Sequence, residues 1–229
     1  MTAPVLLALL TLVSSPSVRI GPSFTASWPS MQNEKDFADM NTAAGLDFQL
    51  GTTAWGGAVE VLGDVSDEFR LRGSVGLIRV QGSYSEEYDP LSYVLVGLFT
   101  GGLGFLFGQE NDVINLSDEA VNIEAQVYYR FSRTPAFSVS AGAGPVYTLA
   151  SRDLDSPNTS TSGSGSGLGF VASLRMDQES SMKMGCIPLM FGLEAGYRYC
   201  SVTLNDEEAG DYQLDFSGLF VKLGSYIGI

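Results

Sequence analysis

The amino-acid sequence predicts an all-β protein, built as a transmembrane up-and-down antiparallel β-barrel. Apolar and polar residues alternate with a period of two in eight separate segments, which is typical of strands with two different faces. The connections between these segments are alternately short and long. One face of each strand carries large aromatic and aliphatic side chains, and the other carries glycine, serine and charged residues. Eight strands are predicted, or ten if a central apolar segment adds a pair.

Composition excludes several classes of function. Charged residues make up only 17% of the 229 residues, whereas about 25% is usual in soluble domains. A chain of net charge −14 is a poor partner for nucleic acid, which needs clustered Lys and Arg. The chain has no histidine, the commonest metal ligand and general base, and Cys186 and Cys200 lack metal or redox spacing. We therefore expect no enzyme activity, no cofactor and no metal site.

The N-terminus predicts export. A short apolar run from Val5 to Val13 precedes the small residues Ser14, Ser15 and Ser17, as in a secretory signal peptide. The run is too short to span a bilayer. We expect a signal peptide over residues 1–17 and a barrel domain over residues 18–229; the alternative is a buried N-terminal segment.

The clearest strand pattern runs from Val121 to Phe131. Val127 lies with Phe131 on its apolar face, whereas Glu124 and Arg130 lie on the opposite face. Seven other segments also alternate, the last of them less cleanly: SVRIGPSFTASW, TAWGGAVEVLG, FRLRGSVGLI, AFSVSAGAGPVYTLA, GLGFVASLRM, IPLMFGLEAGYRYCSVT and YQLDFSGLFVKLGSYIGI.

The predicted connections indicate which end of the barrel faces outward. GDVSDE, SRTP and DQESSMK are predicted short turns, whereas long loops are predicted near residues 29–52, 83–118 and 151–166. Short turns at one end and long loops at the other are the plan of an outer-membrane barrel. Most acidic residues fall in the long loops, where they are either solvated or bridged by divalent cations to lipopolysaccharide phosphates.

The distribution of aromatic residues favours lipid on the outside of the barrel. A soluble barrel fills its interior with bulky apolar side chains and shows charge outside. Here Trp28, Trp55, Tyr129 and Tyr197 lie on the apolar face near strand ends, the position of the aromatic girdles of membrane barrels. A closed sheet also satisfies every backbone polar group, as hydrocarbon demands.

Charged residues on the opposite face are then predicted to line the lumen. Eight strands enclose an interior just wide enough for side chains, and buried charges need partners. We therefore predict a paired network that plugs the periplasmic half; the alternative is a cation-lined pore that selects anions. The predicted network consists of Arg19, Glu60, Arg70, Arg72, Glu124, Arg130, Arg175, Glu194, Arg198 and Lys222.

The centre of the chain contains twenty uncharged residues between Asp89 and Glu110. A spanning helix is disfavoured because five glycines weaken it by about 1 kcal/mol each, and it would put the next strand on the wrong side of the membrane. Either the segment forms an apolar loop over the barrel mouth or it adds a strand pair. The predicted apolar cap comprises Tyr93, Val94, Leu95, Leu98, Phe99, Leu103, Phe105 and Phe107.

The C-terminal segments resemble a known group of proteins. LEAGYRYCSV, a short acidic loop and YQLDFSGLFVKLGSYIGI look like the closing hairpin of small eight-stranded outer-membrane barrels of the OmpA, OmpX and OmpW types. The likeness is one of pattern and covers most of the chain after residue 17. Family members usually end in an aromatic residue that the barrel-insertion machinery reads, whereas this chain ends in Ile229.

The resemblance implies a location and partners. The location is the outer membrane of a diderm bacterium, and the partners are its lipid, lipopolysaccharide and the barrel-insertion machinery. The function expected is structural anchoring or adhesion by a barrel with a charge-plugged lumen. The alternative is a narrow channel for a small hydrophobic ligand, as in the OmpW type.

Overall fold

The computed structural model describes most of the chain after residue 17. The described residues are 18–31, 35, 48–50, 53–84, 114–134, 136–156, 159–184, 187–206 and 210–229. The predicted signal peptide, the predicted apolar cap and Cys186 lie outside the described residues.

Ten β-strands form one antiparallel sheet that closes into a barrel. The strands are β1 (Val18–Pro29), β2 (Phe48–Leu50), β3 (Ala54–Asp64), β4 (Phe69–Tyr84), β5 (Ile114–Arg133), β6 (Phe137–Ser156), β7 (Thr159–Met184), β8 (Ile187–Asp206), β9 (Gly210–Asp215) and β10 (Gly218–Gly228). Neighbours follow the order β1-β3-β4-β5-β6-β7-β8, and β10 pairs with both β8 and β1 to close the wall.

The barrel wall contains eight strands, as predicted. β9 pairs with the outer end of β8, and β10 pairs with the inner end, so the two act as one interrupted wall strand. β2 is an additional short strand that pairs only with the outer end of β4. All eight predicted segments are strands. The pair considered for the central apolar segment lies outside the described residues.

The prediction of a long loop at residues 151–166 was wrong. β6 continues to Ser156 and β7 begins at Thr159, so this stretch is a strand pair. DQESSMK also belongs to β7, which carries a bulge there. Serine and glycine suggested a flexible loop by composition, but they alternate: Ser162 and Ser164 are exposed, whereas a Cβ added at Gly165 would lie 2.0 Å from the carbonyl oxygen of Thr203.

The outer wall of the barrel is apolar, which confirms the predicted orientation. Trp55 is 55% exposed and Leu174 is 60% exposed. Aromatic side chains pair on this surface at both ends of the belt, with ring centroids 5.6 Å apart for Phe24 and Trp55 and 5.5 Å apart for Phe69 and Tyr129. Among the described residues, no helix is long and apolar enough to cross a membrane.

The polarity of the two faces reverses along β8. In the belt, Tyr197 and Tyr199 point outward and Arg198 points inward. Further toward the outer end Thr203 is exposed, whereas Leu204 is only 1% exposed and faces the interior. The wall is therefore membrane-like up to about Tyr199 and resembles a soluble β-protein beyond it.

We expect Leu193→Arg to destabilise the inserted barrel by about 2–4 kcal/mol, because it places a charge near the middle of the lipid belt. The matched control is Thr203→Arg, on the same face of β8 but beyond the belt, which should cost about 0–1 kcal/mol. Urea unfolding in lipid vesicles measures both free energies. Equal costs would contradict the proposed position of the belt.

Candidate functional site

The predicted lumen residues all lie on the inner face and take part in ion pairs. Their side chains are at most 4% exposed, except that of Arg19, which is 19% exposed. They come from β1, β3, β4, β5, β7, β8 and β10, so the sheet brings together groups that are far apart in sequence. The alternation of each strand positions them, because every second side chain points into the barrel.

Three arginines and three carboxylates form a lower layer at the short-turn end of the lumen. Asp64, the last residue of β3, accepts hydrogen bonds from Arg19 at 3.2 Å, from Arg70 at 2.6 Å and from Arg130. Arg70 also donates to Asp177 of β7. The lower layer consists of Arg19, Arg70, Arg130, Asp64, Asp177 and Glu179.

A second cluster, the upper layer, fills the middle of the lumen. Its centre is Arg72, whose side chain is 0% exposed. Arg72 donates to both Glu124 and Glu194, and its guanidinium lies 3.8 Å from Glu60. The upper layer consists of Arg72, Arg175, Arg198, Lys222, Glu60, Glu124 and Glu194.

Two buried tyrosines complete the upper layer. The hydroxyl of Tyr128 donates to Glu194 at 2.9 Å, and that of Tyr226 donates to Glu60 at 2.7 Å. The guanidinium of Arg175 lies 4.8 Å from the centroid of the Tyr226 ring, a cation–π contact. Tyr128 donates to Oε1 of Glu194, whereas Arg72 and Arg175 donate to Oε2, and Tyr226 shares Oε2 of Glu60 with Arg175.

Sequence reasoning missed Asp64, Asp177 and Tyr226 as members of the network. The first two were placed in predicted turns, and Tyr226 falls where alternation is least regular. The even spacing of residues along a strand could have identified both carboxylates. Asp64 lies four residues after Glu60, and Asp177 lies two residues after Arg175. Each therefore shares the inner face with a predicted site residue.

The outer half of the lumen is filled by an apolar core, which the sequence analysis did not expect. These side chains are at most 5% exposed. The apolar core consists of Ile78, Ala120, Val146, Ala150, Cys200, Val202, Leu204, Leu214 and Phe216. Glycines on the inner face of β7 make room for it, since a Cβ at Gly167 would lie 3.1 Å from Cγ2 of Val202.

A polar chain separates the upper layer from the apolar core. The thiol of Cys200 donates to Thr148 at 3.0 Å, and the Thr148 hydroxyl donates to Asn122 Oδ1 at 2.7 Å. Cys200 is a buried free thiol. Above the core, Arg152 donates to Asp118 at 2.8 Å, with its guanidinium 4.4 Å from the centroid of the Tyr212 ring. Side chains thus fill the lumen at several heights.

The ion pairs engage the charged groups of both layers. Breaking a buried pair by removing one partner leaves an uncompensated charge and costs about 3–5 kcal/mol. Across the part of the chain that the structure describes, no group of three or more acidic or cysteine side chains is arranged to hold a metal ion.

We expect Arg72→Met to destabilise the barrel by about 3–5 kcal/mol, because three carboxylates then lose their central cation in a desolvated site. Arg79→Met in the same strand is the matched control. It breaks the exposed pair between Arg79 and Glu119, and should cost about 0–1 kcal/mol. Urea unfolding in vesicles measures the difference, and similar costs for the two variants would contradict the central role of Arg72.

Comparison with known proteins places the fold. No protein-family model matches the sequence, and no curated protein matches it. The structure of the outer membrane protein OprG from Pseudomonas aeruginosa matches with a TM-score of 0.53 and 12% identity, over 94% of this chain and 96% of that one. Ail, the attachment invasion locus protein of Yersinia pestis, matches with a TM-score of 0.43 and 14% identity, over 93% and 97% of the two chains.

A major outer membrane protein from Thermus thermophilus matches with a TM-score of 0.42 and 12% identity, over 93% of this chain and 99% of that one. Of these three structures, OprG alone has a TM-score above 0.5, and at 12% identity that likeness concerns the fold alone. That likeness agrees with the closed wall and the apolar outer surface, and it confirms the resemblance read from the C-terminal segments. The chain has the fold of the small eight-stranded outer-membrane barrels.

Proposed function

We propose that this protein is a non-enzymatic outer-membrane barrel that anchors and stabilises the cell envelope or serves in adhesion, with a lumen closed to solutes. The observation that carries this proposal is the filling of the lumen. The lower layer, the upper layer and the apolar core follow one another from the short-turn end to the outer end, and most of their side chains are buried. Lipopolysaccharide and the barrel-insertion machinery are the partners proposed with this role.

The length of the strands supports an outward-facing role. β5, β6 and β8 contain 20 residues each and β7 contains 26, whereas about 9–11 residues span a bilayer. The outer halves of these strands therefore project beyond the belt. Their outward side chains are polar and exposed, as in Asp153, Ser162, Ser164, Thr203 and Asn205. A rigid polar sheet of this kind suits contact with the surroundings of the cell.

The composition of the chain supports a non-enzymatic role. No histidine occurs among the 229 residues, so the commonest general base is missing. The buried carboxylates of the upper layer are each engaged by a cation within it. A carboxylate held in this way does not face a substrate.

The apolar core favours a second candidate function, the passage of a small hydrophobic compound entering from outside. Val202, Leu204 and Leu214 would supply an apolar path in the outer half of the lumen. None of these three side chains is more than 1% exposed, so the path would require them to move apart.

Reconstitution into liposomes tests the closed lumen. We expect no ion conductance and no uptake of an apolar fluorescent dye, because the two charged layers and the apolar core each block the lumen. A variant with Leu204→Ala and Leu214→Ala provides a control for the second candidate, since it opens space in the outer half without touching the ion pairs. If the unmodified protein takes up the dye and this variant takes up more, the result would favour the hydrophobic channel and contradict the closed lumen. Ion conductance would favour the anion-selective pore.

A further inference from the structure

The two charged layers differ in their balance of charge. The lower layer contains three arginines and three carboxylates, so its formal charge is zero. The upper layer contains four cations and three carboxylates, so its formal charge is 4 − 3 = +1. An ion pair between Arg175 and Asp177 joins the layers and leaves their sum at +1. An excess charge in a desolvated lumen is costly unless a counter-charge is present. This balance refers to the described part of the chain.

Glu124 is one of the carboxylates that three cations share. This single carboxylate accepts hydrogen bonds from Arg72, from Arg198 at 2.5 Å and from Lys222 at 3.4 Å. Lys222 also lies 3.2 Å from Glu60, but Glu60 is shared in turn with Arg72 and Arg175. Arg198 has Glu124 as its acidic partner within the described lumen. Arg198 and Lys222 therefore depend mainly on the single negative charge of Glu124.

A small cavity opens beside these two cations. Its polar lining comes from Thr25, Ser74, Asn122, Glu124, Arg198 and Lys222. The cavity volume of about 10 Å³ leaves room for a small species. Gly57 and Gly76 form part of its wall, and the absence of side chains there leaves the space open.

Two buried donors of this lining have no hydrogen-bond partner in the described structure. They are Nδ2 of Asn122 and Nε of Arg198, and both residues are 3% exposed. Oδ1 of Asn122 accepts from the Thr148 hydroxyl at 2.7 Å, and Nδ2 is then the end of the amide without a partner. Buried donors are normally paired, and leaving one unpaired is costly. The lining therefore needs an acceptor.

We propose that this cavity binds a small monovalent anion, chloride. An anion accepts from the free donors of Asn122 and Arg198, and it brings the upper layer to zero net charge. A water molecule would satisfy the donors but leave the excess cation unbalanced, so the charge distinguishes the two ligands. Sulfate, phosphate and gluconate are much larger than chloride and fit a cavity of this size less well. The bound ion acts as a structural part of the upper layer.

Bromide substitution tests the position of the ion directly. Crystals of the purified protein are grown in chloride and exchanged into bromide, and anomalous scattering is measured at the bromine edge. We expect one peak inside the barrel, within contact distance of Asn122 Nδ2 and Arg198 Nε. A cavity peak without anomalous signal would identify water and overturn the proposal, and so would bromide that appears only on the outer surface.

Three variants test whether the ion balances the charge. The measured quantity is the temperature at which heat-modifiable gel migration is half complete, in chloride and in gluconate of equal ionic strength. The unmodified protein should be more stable in chloride by about 3 °C or more, at a chloride concentration about tenfold above its Kd. Asn122→Asp and Lys222→Met each remove the excess positive charge, so both should lose this chloride dependence and the bromide peak.

Asn122→Leu is the matched control for Asn122→Asp. It removes the same donor but keeps the excess cation, so it should be less stable than Asn122→Asp in gluconate. Gel migration before heating shows that each variant is folded. Equal stability of the unmodified protein in the two salts, or a chloride effect that persists unchanged in Asn122→Asp, would overturn the proposal. Neither result depends on whether the lumen conducts.

Discussion

The cluster around Arg72 is the interaction on which the interior of the barrel depends. Its three carboxylates come from β3, β5 and β8, and Arg72 itself comes from β4. β3 and β5 flank β4 in the wall, whereas β8 lies on the opposite side. A fully buried guanidinium is tolerable only with such partners. The pair with Glu194, which joins residues 122 positions apart, therefore ties the two sides of the cylinder together.

The same cluster specifies strand register. Arg175 pairs with Glu194 across β7 and β8, and Glu194 faces Lys222 across β8 and β10. A shift of one residue in any of these strands would turn its charged side chain toward lipid and an apolar one into the lumen. Buried ion pairs add little net stability compared with apolar residues of similar volume, so their value here is in selecting one arrangement of the strands. An interior filled only with apolar residues would not distinguish the two faces of each strand.

Much of the fold could be predicted from sequence because a membrane barrel requires strict alternation. The eight strands, their faces and the inward charges all follow from a period of two. The loop predicted at 151–166 shows the limit: serine and glycine indicate flexibility by composition, but their alternation continues the strand. The partners of each charge could not be predicted, because groups such as Arg72 and Glu194 meet across the lumen, where distance depends on barrel closure. The free donor of Asn122 likewise appears only when the strands are assembled.

The apolar core was missed for a related reason. Alternation assigns a residue to a face, but which face is apolar depends on what surrounds the wall at that height. Inside the lipid belt, β8 directs Tyr197 outward and Arg198 inward; beyond it, Thr203 is exposed and Leu204 is buried. The point of reversal therefore marks the outer surface of the membrane on the strand itself. Below that point, lipid supplies the apolar surroundings and the interior carries the charge. Above it, water replaces lipid, and the same strands must bury their own apolar side chains in the outer half of the lumen.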